Sequence, residues 1–342
     1  MPKAPIALII LGALTFNFMT GFHDAANAIA TSVLTRALAI PTAVVLAAVL
    51  NLAGAMVNEA VATTIGKGIV DGSFVTEQIV LAALLGTIIW LFITWRLGLP
   101  TSCSHTIIGA VIGAASAASA QVSVGSGMLG WSYNYGIFNF AGLKKIFLAL
   151  LLSPVFGLLV GFAAMVLLLH IFAHSAPTIL NRYFRRLQVI SASLMAFSHG
   201  SNDAQNAMGI ITMALVAGGY LDTFAIPMWV KVISALALSL GTAAGGWRII
   251  KTLGRNLVTL KPIHGFAAET SGALVIQACT HIGAPISTTH VISTAIMGVG
   301  ISRRLSGVRW KVAGQIIMAW VLTLPITALL AAFSYWLLGF FF

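Results

Sequence analysis

Apolar residues in this chain come in long runs that do not alternate. Stretches at 6–20, 40–62, 79–94, 146–169, 226–240 and 313–338 are apolar around the full circumference of a helix. A helix needs roughly 20 such residues to cross the hydrocarbon of a bilayer. A membrane β-strand would instead alternate over about ten residues. Because lipid offers no hydrogen bonds, only helices and closed barrels can span it. The pattern predicts an all-α polytopic membrane protein, with the first stretch retained as its first helix because it runs directly into a polar motif.

Polar residues interrupt these runs at two pairs of related places. "TGFHDAANAIAT" at 20–31 and "HGSNDAQNAMGI" at 199–210 each carry an Asp and an Asn three residues apart, Asp24/Asn27 and Asp203/Asn206. "GLPTSCSHTIIGAVIG" at 98–113 matches "GAPISTTHVISTAIMG" at 283–298, pairing Pro100 with Pro285, Ser102 with Ser287, Ser104 with Thr289 and His105 with His290. The offsets, 179 and 185 residues, are close. Two halves carry the same elements in the same order, and duplication is the economical explanation.

Each half reads as two spanning helices, an apolar hairpin with the Pro-Ser motif at its tip, and a further helix. The first half covers 1–175, with helices at 5–35, 40–63 and 143–173 and the hairpin at about 77–121. A cytoplasmic linker at 176–186 leads to the second half, 187–342, with helices at 187–215, 226–248 and 310–340 and the hairpin at about 264–302. Three full spans per half invert the second half. One side then receives twelve Lys and Arg, among them Arg36, Arg182, Arg185, Arg186, Arg248, Lys251, Arg255 and Arg303; the other receives five, Lys3, Lys67, Lys144, Lys145 and Lys231. The positive-inside bias puts both termini outside the cell. Inverted repeats with interrupted helices are the signature of secondary transporters.

The tips are suited to an anion. Pro100 and Pro285 stop a helix and push the preceding residue away from helical geometry, so the chain should restart as a helix near Ser102 and Ser287. A restarting helix presents unpaired N–H groups and the positive end of its dipole. Ser102, Ser104, Ser287, Thr288 and Thr289 add hydroxyl donors, although helix capping alone would also place Ser and Thr there. Two tips meeting near the midplane would enclose a small tetrahedral oxyanion.

Ionisable residues buried in a membrane usually mark a pathway or a coupling site. Two carboxylates beside an anion repel it unless Na⁺ binds between them or they are protonated, and either case means coupled transport. Asp24, Asn27, Asp203 and Asn206 can also accept the hydroxyl proton of phosphate, while fully ionised sulfate offers none. Glu269, on the rising arm of the second hairpin, is a further candidate for the coupling cation or proton. His23, His105, His199 and His290 adjoin the motifs as proton relays or structural donors. Glu59 lies near the outer end of the second helix, where an interfacial acid is equally expected.

Composition narrows the class. Only 7% of residues are charged and 59% are hydrophobic, with a mean hydropathy of +1.01, against about a quarter charged in soluble domains. The net charge of +11 reflects orientation, since no basic run is interleaved with aromatics as a nucleic-acid surface requires. Cys103 and Cys279 lie in or beside apolar segments and make neither a disulfide framework nor a zinc site by spacing. The motifs call for no cofactor beyond a bound Na⁺ in a sodium-coupled carrier.

With both motif pairs in hand, the chain resembles bacterial and archaeal-type members of the inorganic phosphate transporter (PiT) family. Residues 21–28, residues 199–207 and the two Pro-x-Ser-x-Ser/Thr-His tips carry the resemblance. It implies a phosphate symporter of the cytoplasmic membrane, coupled to Na⁺ in some members and H⁺ in others, commonly a homodimer. In proton-coupled relatives the substrate can be a neutral metal–phosphate complex. Three departures stand out. His23 replaces the family's Asn, Cys103 stands in the phosphate-binding tip where a hydroxyl is expected, and Asn51 occupies a coupling position where many animal members have Glu.

Rival readings are weaker. An intramembrane hydrolase could use Ser102 with His105, but nothing explains two such sites in opposite orientations. A passive anion channel would line its pore with Arg or Lys rather than acids. A carrier of sulfate or arsenate would keep the same architecture.

Overall fold

The long apolar runs become long helices whose polar positions gather where the helices cross. The structure, a computed structural model, describes residues 6–125, 128–245, 249, 257–302 and 304–341, with the backbone alone over 121–125 and 128–133. Of the residues that set the expected orientation, Lys3, Arg248, Lys251, Arg255 and Arg303 lie outside the described set.

Eleven α-helices are described. In chain order they are α1 (Ile6–Leu34), α2 (Ile40–Ala55), α3 (Ala60–Gly68), α4 (Glu77–Leu97), α5 (Cys103–Ser119), α6 (Phe140–Ile171), α7 (Pro177–Ala217), α8 (Met228–Ala244), α9 (Pro262–His281), α10 (Thr288–Ile301) and α11 (Trp310–Leu338). Four of them, α1, α4, α6 and α11, are long and apolar enough to cross a membrane, and α2 with α3 forms a fifth candidate across a 69° bend. A short antiparallel ribbon, β1 (Ala120–Gly125) with β2 (Met128–Tyr133), joins α5 to α6. The segment expected as a linker is helical: residues 177–186 are the first turns of α7, which at 41 residues is about 60 Å long.

The hairpin tips break where the prolines require. Gly98 (φ 67°) and Gly283 (φ 66°) turn the chain in the left-handed region after α4 and α9, a conformation that costs glycine little. Ser102 and Ser287 then cap the restarted helices, their hydroxyls accepting from the N–H groups of His105 and His290. By contrast, α1 and α7 run unbroken through the Asp motifs, so the breaks fall at the tips and between α2 and α3.

Contacts between the two halves come in matching pairs. Helix α1 packs on α8 and α2 on α7; α6 packs on α10 and α11 on α5. The closest approaches match as well: a Cβ at Gly21 would strike the Leu238 carbonyl, and one at Gly200 the Asn51 carbonyl. One apolar cluster holds the first half of α1 with the last part of α7, and a second holds the end of α1 with the early turns of α7. Helices α1 and α7 therefore run antiparallel, and both Asp motifs lie in the polar belt between the clusters.

Candidate functional site

On a helix, residues three apart share a face, so Asp24 and Asn27 project together from α1, and Asp203 and Asn206 from α7. Each face meets the hydroxyls of the hairpin tips. Asn27 Nδ2 donates to Thr289 Oγ1 at 2.9 Å and approaches Thr288 Oγ1 at 3.3 Å. Asn206 Nδ2 donates to Ser104 Oγ at 3.1 Å. Since Ser104 and Thr289 are partners in the duplicated tip, the same bond is made twice, each time between one half's helix and the other half's tip. Thr289 also donates to Asp24 Oδ1 at 3.1 Å, and Thr288 to Asp203 Oδ2 at 2.7 Å. Every one of these residues is buried.

The two carboxylates are close. Ligand atoms of Asp24, His199 and Asp203 lie within 4.8 Å of one another. Two unit charges at that separation repel by about 3.5 kcal/mol at an effective dielectric constant of about 20. His199 Nε2 stands 3.1 Å from Asp203 Oδ2, an approach poorly aligned for a hydrogen bond and electrostatic in character. Asn27 Oδ1, Asp203 Oδ1 and Asn206 Oδ1 have no hydrogen-bond partner among the described residues, as does Asn202 Oδ1 beside them. All four are acceptors. Buried acceptors without donors are costly, and these four are chemically suited to a cation or to a hydroxyl donor.

The remaining sequence candidates fall into distinct roles. Ser102 and Ser287 accept as caps, and Ser102 Oγ also lies 2.7 Å from His105 Nδ1. Behind the tips the His105 and His290 rings meet at 4.4 Å, and His290 stacks on Trp320 at 3.9 Å. Cys103 Sγ reaches towards His23 and Asp24. Asn51 is held by Thr242 at 2.8 Å and bonds His199 Nδ1 at 3.0 Å, so it bears on Asp203 through that ring. Glu59, at the N-terminus of α3, pairs with Lys231 of α8.

Glu269 sits apart from the Asp pair. It accepts from the hydroxyls of Thr31 and Ser191, and from Gln188 Nε2 at 3.1 Å, while Thr35 holds Gln188 at 2.6 Å. Thr31 is seven residues past Asp24 on α1, about 10 Å along the axis. At the duplicated positions Thr31 becomes Ile210, Gln188 becomes Ile9, Ser191 becomes Gly12 and Glu269 becomes Leu84. The Glu269 cluster, built from Thr31 of the first half and three residues of the second, thus has no counterpart at the duplicated positions. Sequence reasoning missed Thr31, Gln188 and Ser191; the signal for Thr31 was its place one turn beyond Asn27 on the same face.

Comparison with known proteins decides the family. The sequence profile of the phosphate transporter family matches residues 20–331. The chain belongs to the phosphate transporter family. A "probable low-affinity inorganic phosphate transporter" of Bacillus subtilis is 46% identical over 340 residues, covering 98% of this chain and 97% of the relative. A protein of the same description from Rhizobium meliloti is 43% identical, covering 96% and 94%. Among solved structures, "the sodium-dependent phosphate transporter" superposes with a TM-score of 0.85 at 25% identity, covering 98% of this chain and 99% of that one. This member of the phosphate transporter family is a multi-pass membrane protein and not an enzyme, which removes the hydrolase reading of Ser102 and His105.

Proposed function

We propose that this protein imports inorganic phosphate across the cytoplasmic membrane as a symporter coupled to Na⁺ or H⁺, by alternating access. The observation that carries it is the closed polar belt between the tips. Hydroxyl and amide donors on Ser104, Thr288, Thr289, Asn27 and Asn206 suit the oxygens of a tetrahedral anion. The unpartnered oxygens of Asn27, Asp203 and Asn206 suit its hydroxyl and a cation. Asp24 and Asp203 require that cation, because without one they repel both each other and the anion.

Two places are fitted to the coupling species. A set of buried carboxylate and amide oxygens is a hard-cation environment of the kind Na⁺ takes, and the structural relative is by name sodium-dependent. A proton has a place at His199. An amide oxygen only accepts, so His199 Nδ1 donates to Asn51 Oδ1. Nε2, turned towards Asp203, then either carries a second proton or faces a protonated carboxyl. Glu269 with Thr31, Gln188 and Ser191 supplies a further coupling site outside the pseudo-symmetric pair.

The two halves act as inverted repeats, a reading supported by the antiparallel α1 and α7 and by the paired contacts between halves. Hairpins and helices then rock about the occluded site, admitting phosphate from outside and releasing it within. Both termini lie outside the cell, and the carrier is a homodimer. Radiolabelled phosphate uptake into proteoliposomes, with a Na⁺ gradient in one set and a pH gradient in another, tests the proposal. Accumulation under either gradient, unaffected by tenfold excess sulfate, is the expected result; none under either overturns it.

A further inference from the structure

The two copies of the site differ in chemistry, and the difference lies at the first tip. His23, Asp24 and Cys103 of the first copy correspond to Asn202, Asp203 and Thr288 of the second. Oxygen and amide groups make up the second set, while the first offers an imidazole nitrogen, a carboxylate oxygen and a sulfur. One ligand atom from each of His23, Asp24 and Cys103 lies within 4.8 Å of the other two. The residues are 0%, 1% and 2% exposed, respectively.

His23 is held at both ring nitrogens. Nδ1 lies 3.0 Å from Asp24 Oδ1, and Nε2 lies 3.3 Å from Thr94 Oγ1 and 3.4 Å from Thr101 Oγ1. Thr94 donates to the Trp90 carbonyl at 3.0 Å, and Thr101 donates to Thr94 at 3.1 Å. Either tautomer meets these partners: Nε2 donates to a hydroxyl when Nδ1 is bare, and a hydroxyl donates to Nε2 when Nδ1 carries the proton. With Nδ1 bare, that nitrogen and the Asp24 carboxylate oxygen are two acceptors side by side at 3.0 Å, a pair that a metal ion can take as ligands. Hydroxyls fixing the far nitrogen are also how a metal-ligating histidine is oriented.

We propose that His23 Nδ1, Asp24 and Cys103 Sγ form a binding site for a divalent cation of the zinc class. Tetrahedral zinc sets nitrogen and oxygen ligands about 3.3 Å apart and sulfur about 3.5 Å from either, so the His23–Asp24 pair need open only slightly from 3.0 Å and the sulfur move in by at most about 1.3 Å to close the three onto an ion. Thiolate and imidazole select zinc or cobalt over the hard cations Na⁺ and Mg²⁺. Binding forms the metal–sulfur bond and releases the thiol proton to solvent, because the thiolate is the ligand. The ion would tie the first tip to α1. That such a tie arrests transport rests on the alternating-access reading; the site itself does not. Cysteine spacing along the chain gave no zinc site because the other two ligands lie on a different helix.

The test is a titration of Co²⁺ into the purified full-length protein in detergent, with thiolate-to-cobalt charge transfer read in the near ultraviolet. The band should saturate at one Co²⁺ per chain and bleach on adding Zn²⁺. Cys103→Ser should abolish it and Cys279→Ser should keep it. His23→Asn, which installs the residue of the second copy, should weaken Co²⁺ binding at least tenfold. No band in the wild type, or a band that survives Cys103→Ser, overturns the site. X-ray absorption of the Zn²⁺-loaded wild type needs no variant and should show one sulfur at about 2.3 Å; a shell of nitrogen and oxygen alone also overturns it. Neither measurement involves transport, so their failure is separate from any failure of the phosphate reading.

Discussion

Replacing Asp203 by Asn removes a charge from the site while changing its shape little. Asp24 and Asp203 offer ligand oxygens within 4.8 Å of each other, and two unit charges at that limit repel by about 3.5 kcal/mol at an effective dielectric constant of about 20. Against it stand the hydrogen bond from the Thr288 hydroxyl at 2.7 Å, worth about 1.5–3 kcal/mol to a charged partner, and the electrostatic approach of His199 Nε2 at 3.1 Å. Neutralising Asp203 removes the repulsion and weakens both contacts by a similar total. Folding stability should therefore change by no more than about 1 kcal/mol, or a few degrees in Tm. Cation binding has no such compensation. A cation held between the carboxylates loses at least about 3 kcal/mol of attraction, roughly a hundredfold in affinity. Phosphate uptake into proteoliposomes, measured as a function of the driving cation, should show half-saturation raised about a hundredfold, with uptake near zero at the wild type's half-saturating level. Asp24→Asn should behave alike. Wild-type cation dependence in both variants, with Tm intact, would refute the charge argument.

Two further outcomes follow from the same geometry. Asn27→Ala and Asn206→Ala remove equivalent bonds, to Thr289 and Ser104, so each should raise the KM for phosphate by about tenfold, as one lost hydrogen bond of about 1.4 kcal/mol implies; a large effect in only one would show that the copies do not share the substrate. Glu269→Gln keeps an acceptor for one hydroxyl but loses the charge, so kinetics at saturating phosphate should show weakened cation dependence and an unchanged KM for phosphate. A changed KM with intact cation dependence would place Glu269 in the anion site instead.

Much of the site was legible in the chain. A duplicated motif reports a duplicated environment, so Asp24, Asn27, Asp203, Asn206 and the two tips could be named from repetition alone. Their roles were less legible. Ser102 and Ser287 read as substrate donors, and their oxygens also accept as helix caps, because the first turn after a proline break has N–H groups that need an acceptor; a capping hydroxyl keeps its own proton to donate. Glu269 could be singled out as an intramembrane acid, but Thr31, Gln188 and Ser191 could not. Each is an ordinary helix polar residue until the crossing of α1, α7 and α9 turns all three towards one carboxylate.

The sequence by itself determined the class, the duplication and the breaks at the two hairpin tips, but not the 69° bend between α2 and α3 inside the stretch read as one helix at 40–63. These depend on local physics: twenty apolar residues can lie only in lipid or a core, and a Gly-x-Pro turn ends a helix at each tip, whereas Pro154 and Pro325 are carried within α6 and α11. The tertiary structure alone decided partnership. That Asn27 meets the tip of the other half, that Asn51 reaches Asp203 through His199, and that Cys103 returns to His23 and Asp24 all depend on which faces meet where helices cross. Those crossings are fixed by close approaches such as Gly21 to Leu238 and Gly200 to Asn51. A shift of one residue along a helix turns every side chain by about 100°, and no reading of a single segment carries that register.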